Sequence, residues 1–142
     1  MLTSPPAYGV FTWPVRVYYE DTDAAAVVYY ANYLKYMERA RTEWLRALGF
    51  EQALLAREHA VVFVVRALAI EYLLPARFED ALEVTMKLID ARGCLIRVEQ
   101  TIERGAQTLT TAEVKLACVN TLSFKPARIP GAILERIAMR KA

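Results

Sequence analysis

One continuous stretch from Val15 to Phe50 constrains the fold of this chain most, because it joins a strand pattern, an acidic turn and a helix pattern without a break. Apolar residues recur at Val15, Val17 and Tyr19, which is the period-2 pattern of a half-buried strand. Glu20-Asp21-Thr22-Asp23 ends this strand with turn-forming residues. The order therefore places carboxylates directly before a helix.

The helix pattern begins at Ala31, where the apolar period changes from two to between three and four. The residues that recur at this spacing are Leu34, Met37, Arg41, Trp44, Leu45 and Leu48. Gly49 follows at the position of a left-handed C-cap. The spacing predicts a helix over Ala31 to Leu48.

The junction between turn and helix has two interpretations. Unpaired N–H groups at a helix start carry the positive end of the helix dipole and attract an oxygen that is becoming negative. Asp23 and the amides near Tyr29 and Tyr30 could therefore form the pair that acyl transfer needs, a base or nucleophile with an oxyanion donor. In the other interpretation the acidic residues only make a turn and cap the helix. The residues alone favour this second interpretation.

The rest of the chain is typical of strands separated by turns. The predicted strands are Val61 to Leu73, Ala81 to Asp90, Cys94 to Glu103 and Thr108 to Asn120. One long helix with four or five strands is too little helix for a parallel sheet with crossover helices. The pattern predicts an α+β fold in which an antiparallel sheet wraps around one helix.

Length and composition indicate one domain over residues 1–142. A chain of 142 residues suits a single hydrophobic core. Residues 1–12 are typical of a loose N-terminal arm, and residues 131–142 form a C-terminal tail. The tail has the spacing of a short basic amphipathic helix, which would suit peripheral membrane contact, but the pattern favours a frayed end.

The apolar fraction of 56% is high for a short chain, so we expect some apolar surface to be shared with another copy, in a homodimer or homotetramer. The net charge is only +2, and the basic residues are scattered. This distribution argues against nucleic-acid binding.

The sequence predicts a cytoplasmic protein. Its first residues lack the basic start and apolar run of a signal peptide. The longest apolar run, Ala60 to Leu74, is interrupted by Arg66 and Glu71 and is too short for a transmembrane helix. Cys94 and Cys118 lack metal-ligand spacing and the context of a disulfide framework.

The stretch VRVYYEDTDAAAVVYYANYLKYMERARTEWLRALGF resembles the first third of the YbgC-type acyl-CoA thioesterases. These are the Tol-Pal-associated branch of the 4-hydroxybenzoyl-CoA thioesterase family. The similarity continues more loosely through VVFVVRALAIEYLLPARFEDALEV to SFKPARIP, from Trp13 to about Pro130. It implies a hotdog fold that hydrolyses acyl-CoA thioesters, with no metal or redox cofactor and coenzyme A entering only as part of the substrate.

The resemblance also implies roles for residues of the junction. The second aspartate of the D-x-D turn, Asp23, matches the catalytic carboxylate, as general base or nucleophile, and Asp21 matches a supporting residue. The backbone N–H of Tyr30 matches the donor to the thioester carbonyl, although many relatives carry histidine there. A further departure is Ala24-Ala25-Ala26, because the family usually reads D-T-D-A-G-G. Alanine matters here only where the loop needs positive φ or a close backbone approach.

The remaining implied site residues bind the substrate. In hotdog proteins the active site lies at the dimer interface, between the helix start of one subunit and strands of the other. The matching strand residues Val62, Phe63 and Val64 are equally well explained as core. The set of expected acyl and coenzyme A contacts is Tyr29, Val62, Phe63, Val64, Arg92, Lys125 and Arg128.

Two other functions remain open at this point. One is a non-catalytic module that binds acyl-CoA or acyl carrier protein, which the alanine run keeps open. The other is a hotdog dehydratase or hydratase, which needs a histidine beside an acid, and His59 is the only histidine of the chain. For the thioesterase itself, a short-chain or aromatic acyl group is expected on coenzyme A or, alternatively, on acyl carrier protein.

Overall fold

The computed structural model describes residues 9–139. Within them the chain forms five strands and three α-helices. Their bounds are β1 Phe11–Arg16, α1 Asn32–Ala47, α2 Gln52–His59, β2 Val61–Tyr72, β3 Ala81–Arg92, β4 Leu95–Arg104, β5 Gln107–Asn120 and α3 Gly131–Met139.

The strands form one antiparallel sheet in the order β1-β3-β4-β5-β2, so β1 and β2 are its edges. One face of the sheet packs on α1. Along β3, every second residue from Leu82 to Leu88 is buried. The buried residues of α1 are Tyr33, Tyr36, Met37, Ala40 and Leu45. The fold is the predicted α+β arrangement of an antiparallel sheet around one long helix.

Several predicted bounds agree with the structure. The helix α1 begins and ends one residue inside the predicted Ala31 to Leu48. Gly49 has φ of +100°, the left-handed conformation expected just beyond a helix end. The last four strands agree with the predicted ranges within two residues at every end.

The first strand begins and ends earlier in the chain than the alternation of Val15, Val17 and Tyr19 predicts. Phe11 and Thr12 belong to β1 rather than to a loose arm, and residues 1–8 of that arm lie outside the described residues. The strand ends at Arg16, and Tyr19 lies in a short 3₁₀ turn with 78% of its surface exposed. The chain leaves the sheet because the Asp21 carboxylate accepts the Tyr18 N–H at 2.8 Å.

The helices outside α1 were also misjudged. The sequence pattern does not indicate helix α2, whose amphipathic character is weak because Leu55 is its buried residue. The expectation of a frayed tail was wrong for Gly131–Met139, which forms α3. Ile133 and Ile137 of α3 pack into the core, and this burial stabilises a helix that would otherwise fray. Over residues 9–139, every helix is too short or too polar to span a membrane.

Candidate active site

Asp21 links the acidic turn to the start of α1 through hydrogen bonds. Its carbonyl oxygen accepts the Tyr29 N–H at 2.9 Å and the Asn32 side-chain amide at 2.8 Å. Its carboxylate accepts the Tyr18 N–H. These hydrogen bonds hold the turn against the helix start, and the supporting role expected for Asp21 stays a prediction.

Asp23 lies at the exposed tip of this turn. Its Oδ1 accepts the Ala25 N–H at 2.8 Å, while its own N–H donates to the Val27 carbonyl at 2.9 Å. Among residues 9–139, Oδ2 has no hydrogen-bond partner, so half of the carboxylate is available to a substrate or a water. The residues around the open trough at this point, about 690 Å³ in volume, are Tyr19, Glu20, Thr22, Asp23, Ala24, Ala26 and Phe78.

The alanine run has one strained member. Ala26 has φ of +64°, whereas Ala24 and Ala25 are not among the described residues with positive φ. Positive φ is the conformation that glycine adopts without a Cβ penalty. Of the two glycines that the family usually has here, only the one at the position of Ala26 would occupy a backbone conformation with positive φ. The loop nevertheless keeps its turn, with the Ala26 N–H on the Asp23 carbonyl at 2.9 Å.

Tyr30 lies on the last turn of chain before α1. Its N–H donates to no acceptor in the described part of the chain, as an oxyanion donor requires. Its carbonyl accepts the hydroxyl of Tyr72 at 2.9 Å. The Tyr29 ring packs against the Tyr30 ring with their centroids 4.9 Å apart. The pKa of Tyr29 is raised, chiefly by Tyr30 and to the smallest extent by the Asp23 carboxylate, so these three predicted residues share one neighbourhood.

Tyr36 lies under this site, with its side chain in the core. Its hydroxyl makes no hydrogen bond of regular geometry to residues 9–139. Burial, and then the nearby Asp21 carboxylate, raise the pKa of Tyr36. Both effects favour the neutral phenol.

The three cations expected to meet coenzyme A lie near the other end of the sheet. The Gly93 carbonyl accepts the Ile129 N–H at 2.9 Å, so Arg92 and Arg128 flank one backbone contact. Lys125 lies in the loop after β5, and all three residues are exposed. Arg92, whose side chain is 86% exposed, approaches Asp90 at 3.8 Å. All three side chains are therefore open to solvent, and their contact with coenzyme A stays a prediction.

Val62, Phe63 and Val64 lie at this same end. Val64 is opposite Ala117, which is opposite Leu95 at the start of β4. Tyr72 ends the same strand, β2, eight residues beyond Val64, which is about 26 Å at 3.3 Å per residue. Within one copy of the chain, Val62, Phe63 and Val64 therefore lie at the end of β2 opposite Tyr72, whose hydroxyl contacts Tyr30.

A cavity of about 150 Å³ lies between α1 and the sheet, and sequence reasoning missed it. Its lining includes Phe63, but neither Val62 nor Val64. The complete lining is Glu38, Arg41, Thr42, Trp44, Leu45, Gln52, Phe63, Val65, Met86, Ile96, Val98 and Leu116. Arg41 donates to the buried Gln100 side chain at 2.9 Å, and burial lowers the pKa of this guanidinium. Arg41 was assigned to the helix pattern, and nothing in its spacing indicates a cavity.

Within one copy of the chain, the histidine of the dehydratase or hydratase alternative lies away from the acidic turn. His59 is exposed at the end of α2, just before β2 begins, so it lies at the opposite end of β2 from Tyr72. Across residues 9–139, no group of three or more His, Cys, Asp or Glu side chains is arranged to hold a metal ion.

Comparison with known proteins gives the family. Residues 17–137 match the model of the thioesterase-like superfamily. The acyl-CoA thioesterase YbgC of Haemophilus influenzae is 48% identical over 120 residues, covering 84% of this chain and 88% of that protein. The acyl-CoA thioester hydrolase YbgC of Escherichia coli O6:H1 is 47% identical over 126 residues, covering 88% and 93%.

A solved structure agrees. The probable thioesterase from Bartonella henselae superimposes with a TM-score of 0.83 at 37% identity, covering 86% of this chain and 100% of that one. The chain belongs to the thioesterase-like superfamily of hotdog proteins and, within it, to the YbgC acyl-CoA thioesterases. The predicted fold and family are thereby confirmed, and the roles of individual site residues stay predictions.

Proposed function

We propose that this chain hydrolyses acyl-CoA thioesters to a carboxylic acid and free coenzyme A, with Asp23 as the catalytic carboxylate. The observation that carries the proposal is the exposed Asp23 carboxylate with a free Oδ2, on a turn that Asp21 fastens to the helix start beside the unpaired Tyr30 N–H. A carboxylate and a fixed donor at one junction are the parts that thioester cleavage needs.

Each part has a defined task. The Tyr30 N–H polarises the thioester carbonyl and stabilises the oxyanion, a contribution whose loss typically costs about 100- to 1000-fold in rate. Asp23 either removes a proton from the attacking water or attacks the thioester carbon to form an anhydride that water then cleaves. In both routes the thiolate of coenzyme A leaves and one water is consumed. In the direct route the acid takes its new oxygen from that water, and in the anhydride route the carbonyl that water attacks receives it.

The first test is thiol release from a panel of acyl-CoAs. Asp23→Asn removes the negative charge with little change in volume, so turnover should fall by at least about 100-fold while the melting temperature stays near that of the parent. Glu135→Gln, which removes a distant exposed carboxylate on α3, should leave turnover unchanged. Normal hydrolysis by Asp23→Asn would refute the assignment of Asp23.

We further propose that the complete site is formed by two copies of the chain. β2 is an edge strand with exposed apolar side chains, including Val65 at 50% and Leu68 at 39%. Unpaired edges of this kind invite pairing with another chain. If two β2 strands pair antiparallel about a two-fold axis, the Val62–Val64 end of one copy lies beside Tyr72 and Tyr30 of the other.

Mixed variants test this arrangement. Asp23→Asn disables one half of the site, and the pair Arg92→Glu with Arg128→Glu disables the other half. If each site uses both copies, unfolding and refolding the two inactive proteins together restores activity, because one of the two sites in a mixed dimer is intact. With equal mixing, about a quarter of the parent activity is expected. No recovery, in mixtures shown to contain mixed dimers, would contradict a shared site.

The acyl group that we propose is short-chain or aromatic. The cavity beneath α1 measures about 150 Å³, and an apolar cavity of about 150 Å³ in another protein is known to hold benzene. In the two-copy arrangement, Phe63 and Val65 of this cavity come near the partner's helix start. Rates that rise with chain length beyond about eight carbons would contradict the proposal, since such chains exceed this cavity.

The donor and the compartment complete the proposal. Coenzyme A is preferred over acyl carrier protein because Arg92, Lys125 and Arg128 offer cations to its phosphates; equal kcat/KM for both donors of one acyl group would contradict this preference. Cys94 and Cys118 are free thiols, which suits the reducing cytoplasm. Recovery of the tagged chain outside the cytoplasmic fraction would contradict that location.

The non-catalytic binding module remains the second candidate because Ala26 departs from the family glycine at a position of positive φ. It predicts saturable binding of acyl-CoA without thiol release from any member of the panel. Turnover that Asp23→Asn abolishes would exclude it.

A further inference from the structure

Tyr72 connects the edge strand to the start of the helix. It is the last residue of β2, opposite Thr110 of β5. The next residue, Leu73, donates its N–H to the Leu109 carbonyl at 2.8 Å, so the chain stays held to the sheet just beyond Tyr72. From this base the Tyr72 hydroxyl donates to the carbonyl of Tyr30 at 2.9 Å.

This hydrogen bond acts where the chain enters α1. A trans peptide is planar, so the Tyr30 carbonyl and the Ala31 N–H point in opposite directions. Fixing the carbonyl restricts rotation at Tyr30 and therefore limits the directions that its own N–H can take. Neither the Tyr30 N–H nor the Ala31 N–H donates to an acceptor in residues 9–139. Neither group is therefore oriented by a hydrogen bond of its own. The hydroxyl of Tyr72 supplies that restraint from outside.

Packing gives the tyrosine ring a separate role. The Tyr72 ring meets the edge of Tyr30 at 6.3 Å and of Tyr33 at 5.2 Å between centroids. These contacts depend on the ring and would survive loss of the hydroxyl. Burial is the largest cause that raises the pKa of Tyr72, so the hydroxyl remains a donor across the neutral pH range.

We propose that Tyr72 is a positioning residue for thioester hydrolysis: its hydroxyl, on the Tyr30 carbonyl, orients the Tyr30 N–H toward the developing oxyanion. The inference rests on the proposed function and adds to it a residue from β2, 42 positions along the chain. A donor that is oriented before reaction costs no reorganisation as the charge develops. Its loss therefore lowers the rate of the chemical step and leaves substrate binding unchanged.

The test compares Tyr72→Phe with Tyr33→Phe in the full chain. Both variants keep the ring and lose one hydroxyl from the same cluster, but the Tyr33 hydroxyl accepts the Ala76 N–H at 3.0 Å, whereas the Tyr72 hydroxyl donates to the Tyr30 carbonyl. For Tyr72→Phe, kcat should fall on the order of 10-fold, with KM and the Kd for free coenzyme A within about twofold. Tyr33→Phe should keep kcat within about twofold although it loses a buried hydrogen bond and some stability.

The possible outcomes distinguish the positioning role of Tyr72 from the proposed thioesterase activity. A normal kcat for Tyr72→Phe in an active protein, or an equal fall in both variants, overturns the positioning role and leaves the proposed function standing. A kcat loss with a changed pH profile overturns it as well, because it would make Tyr72 a proton donor rather than a positioning residue. No thioester hydrolysis by the unsubstituted chain would overturn the proposed function and this inference together.

Discussion

Ala26→Gly should stabilise the fold, because the alanine occupies a conformation that suits glycine. At φ of +64°, its Cβ is in the left-handed region, which costs an L-residue about 1–2 kcal/mol. Glycine removes this cost but loses about 0.4–1 kcal/mol through the greater freedom of the unfolded chain. The Ala26 side chain is exposed, so little burial is lost. The net gain expected is about 0.5–1 kcal/mol.

Urea unfolding at one fixed protein concentration measures this gain without interference from oligomerisation. With an m-value of about 2 kcal/mol/M, the midpoint should rise by about 0.3–0.5 M. Ala25→Gly is the matched control, since Ala25 is the exposed neighbour without positive φ. It should lose about 0.4–1 kcal/mol by the same unfolded-state entropy.

A second site checks the reasoning independently. Ala60 has φ of +55° as the left-handed C-cap of α2, and Ala60→Gly should also raise the midpoint. Equal midpoints for Ala26→Gly and Ala25→Gly, or a fall in both, would refute the argument from backbone strain. The activity of Ala26→Gly also bears on function: turnover that appears only with glycine would mean that the alanine blocks catalysis.

Three further predictions concern the core and the surface. Burial raises the pKa of the Cys118 thiol to about 11, so folded protein at pH 8 should react rapidly with iodoacetamide at no more than one thiol; rapid loss of both would contradict this. Gln100→Met leaves the half-buried Arg41 without its hydrogen-bond acceptor and should cost about 1–3 kcal/mol in urea unfolding; a neutral result would refute it. A hydrogen bond from Arg97 lowers the pKa of Asp90, so Asp90 stabilises the fold above its unfolded pKa of about 4 and this contribution disappears at lower pH. The stability difference between Asp90→Asn and the parent should therefore shrink below pH 4, and a constant difference would contradict it.

The local part of this structure could be predicted because it is written in neighbouring residues. The period of α1, its Gly49 cap and the turn before Asp23 each depend on a few consecutive side chains. The same holds for the strands, whose alternation matches the buried face of β3. Elements whose stability comes from distant packing were missed. The spacing of the tail is that of an amphipathic helix, but only the structure shows that Ile133 and Ile137 reach the core and so keep α3 folded.

The backbone conformation of single residues also could not be predicted from the sequence. The sequence shows that alanine replaces glycine at two positions, but only the structure assigns positive φ to Ala26 and not to Ala25. The difference arises from the hydrogen bonds that close the turn, between the Ala26 N–H and the Asp23 carbonyl and between the Asp23 N–H and the Val27 carbonyl. Residue type therefore identifies a candidate strain, and the turn geometry decides which residue carries it.

The predicted site residues fall into two groups at opposite ends of β2, and the sequence alone does not show this separation. Asp23 and Tyr30 are close in sequence and lie at one end of β2, while Val62–Val64 and the three cations lie at the other end. About 26 Å of strand separates Val64 from Tyr72 along β2, so the two groups lie at opposite ends of this strand within one copy. If β2 pairs antiparallel with β2 of a second copy about a two-fold axis, the Val62–Val64 end of each strand lies beside Tyr72 of the other. The dimer then contains two complete sites. The edge strand would then have a catalytic as well as a structural purpose, since it carries Phe63 at one end and Tyr72 at the other.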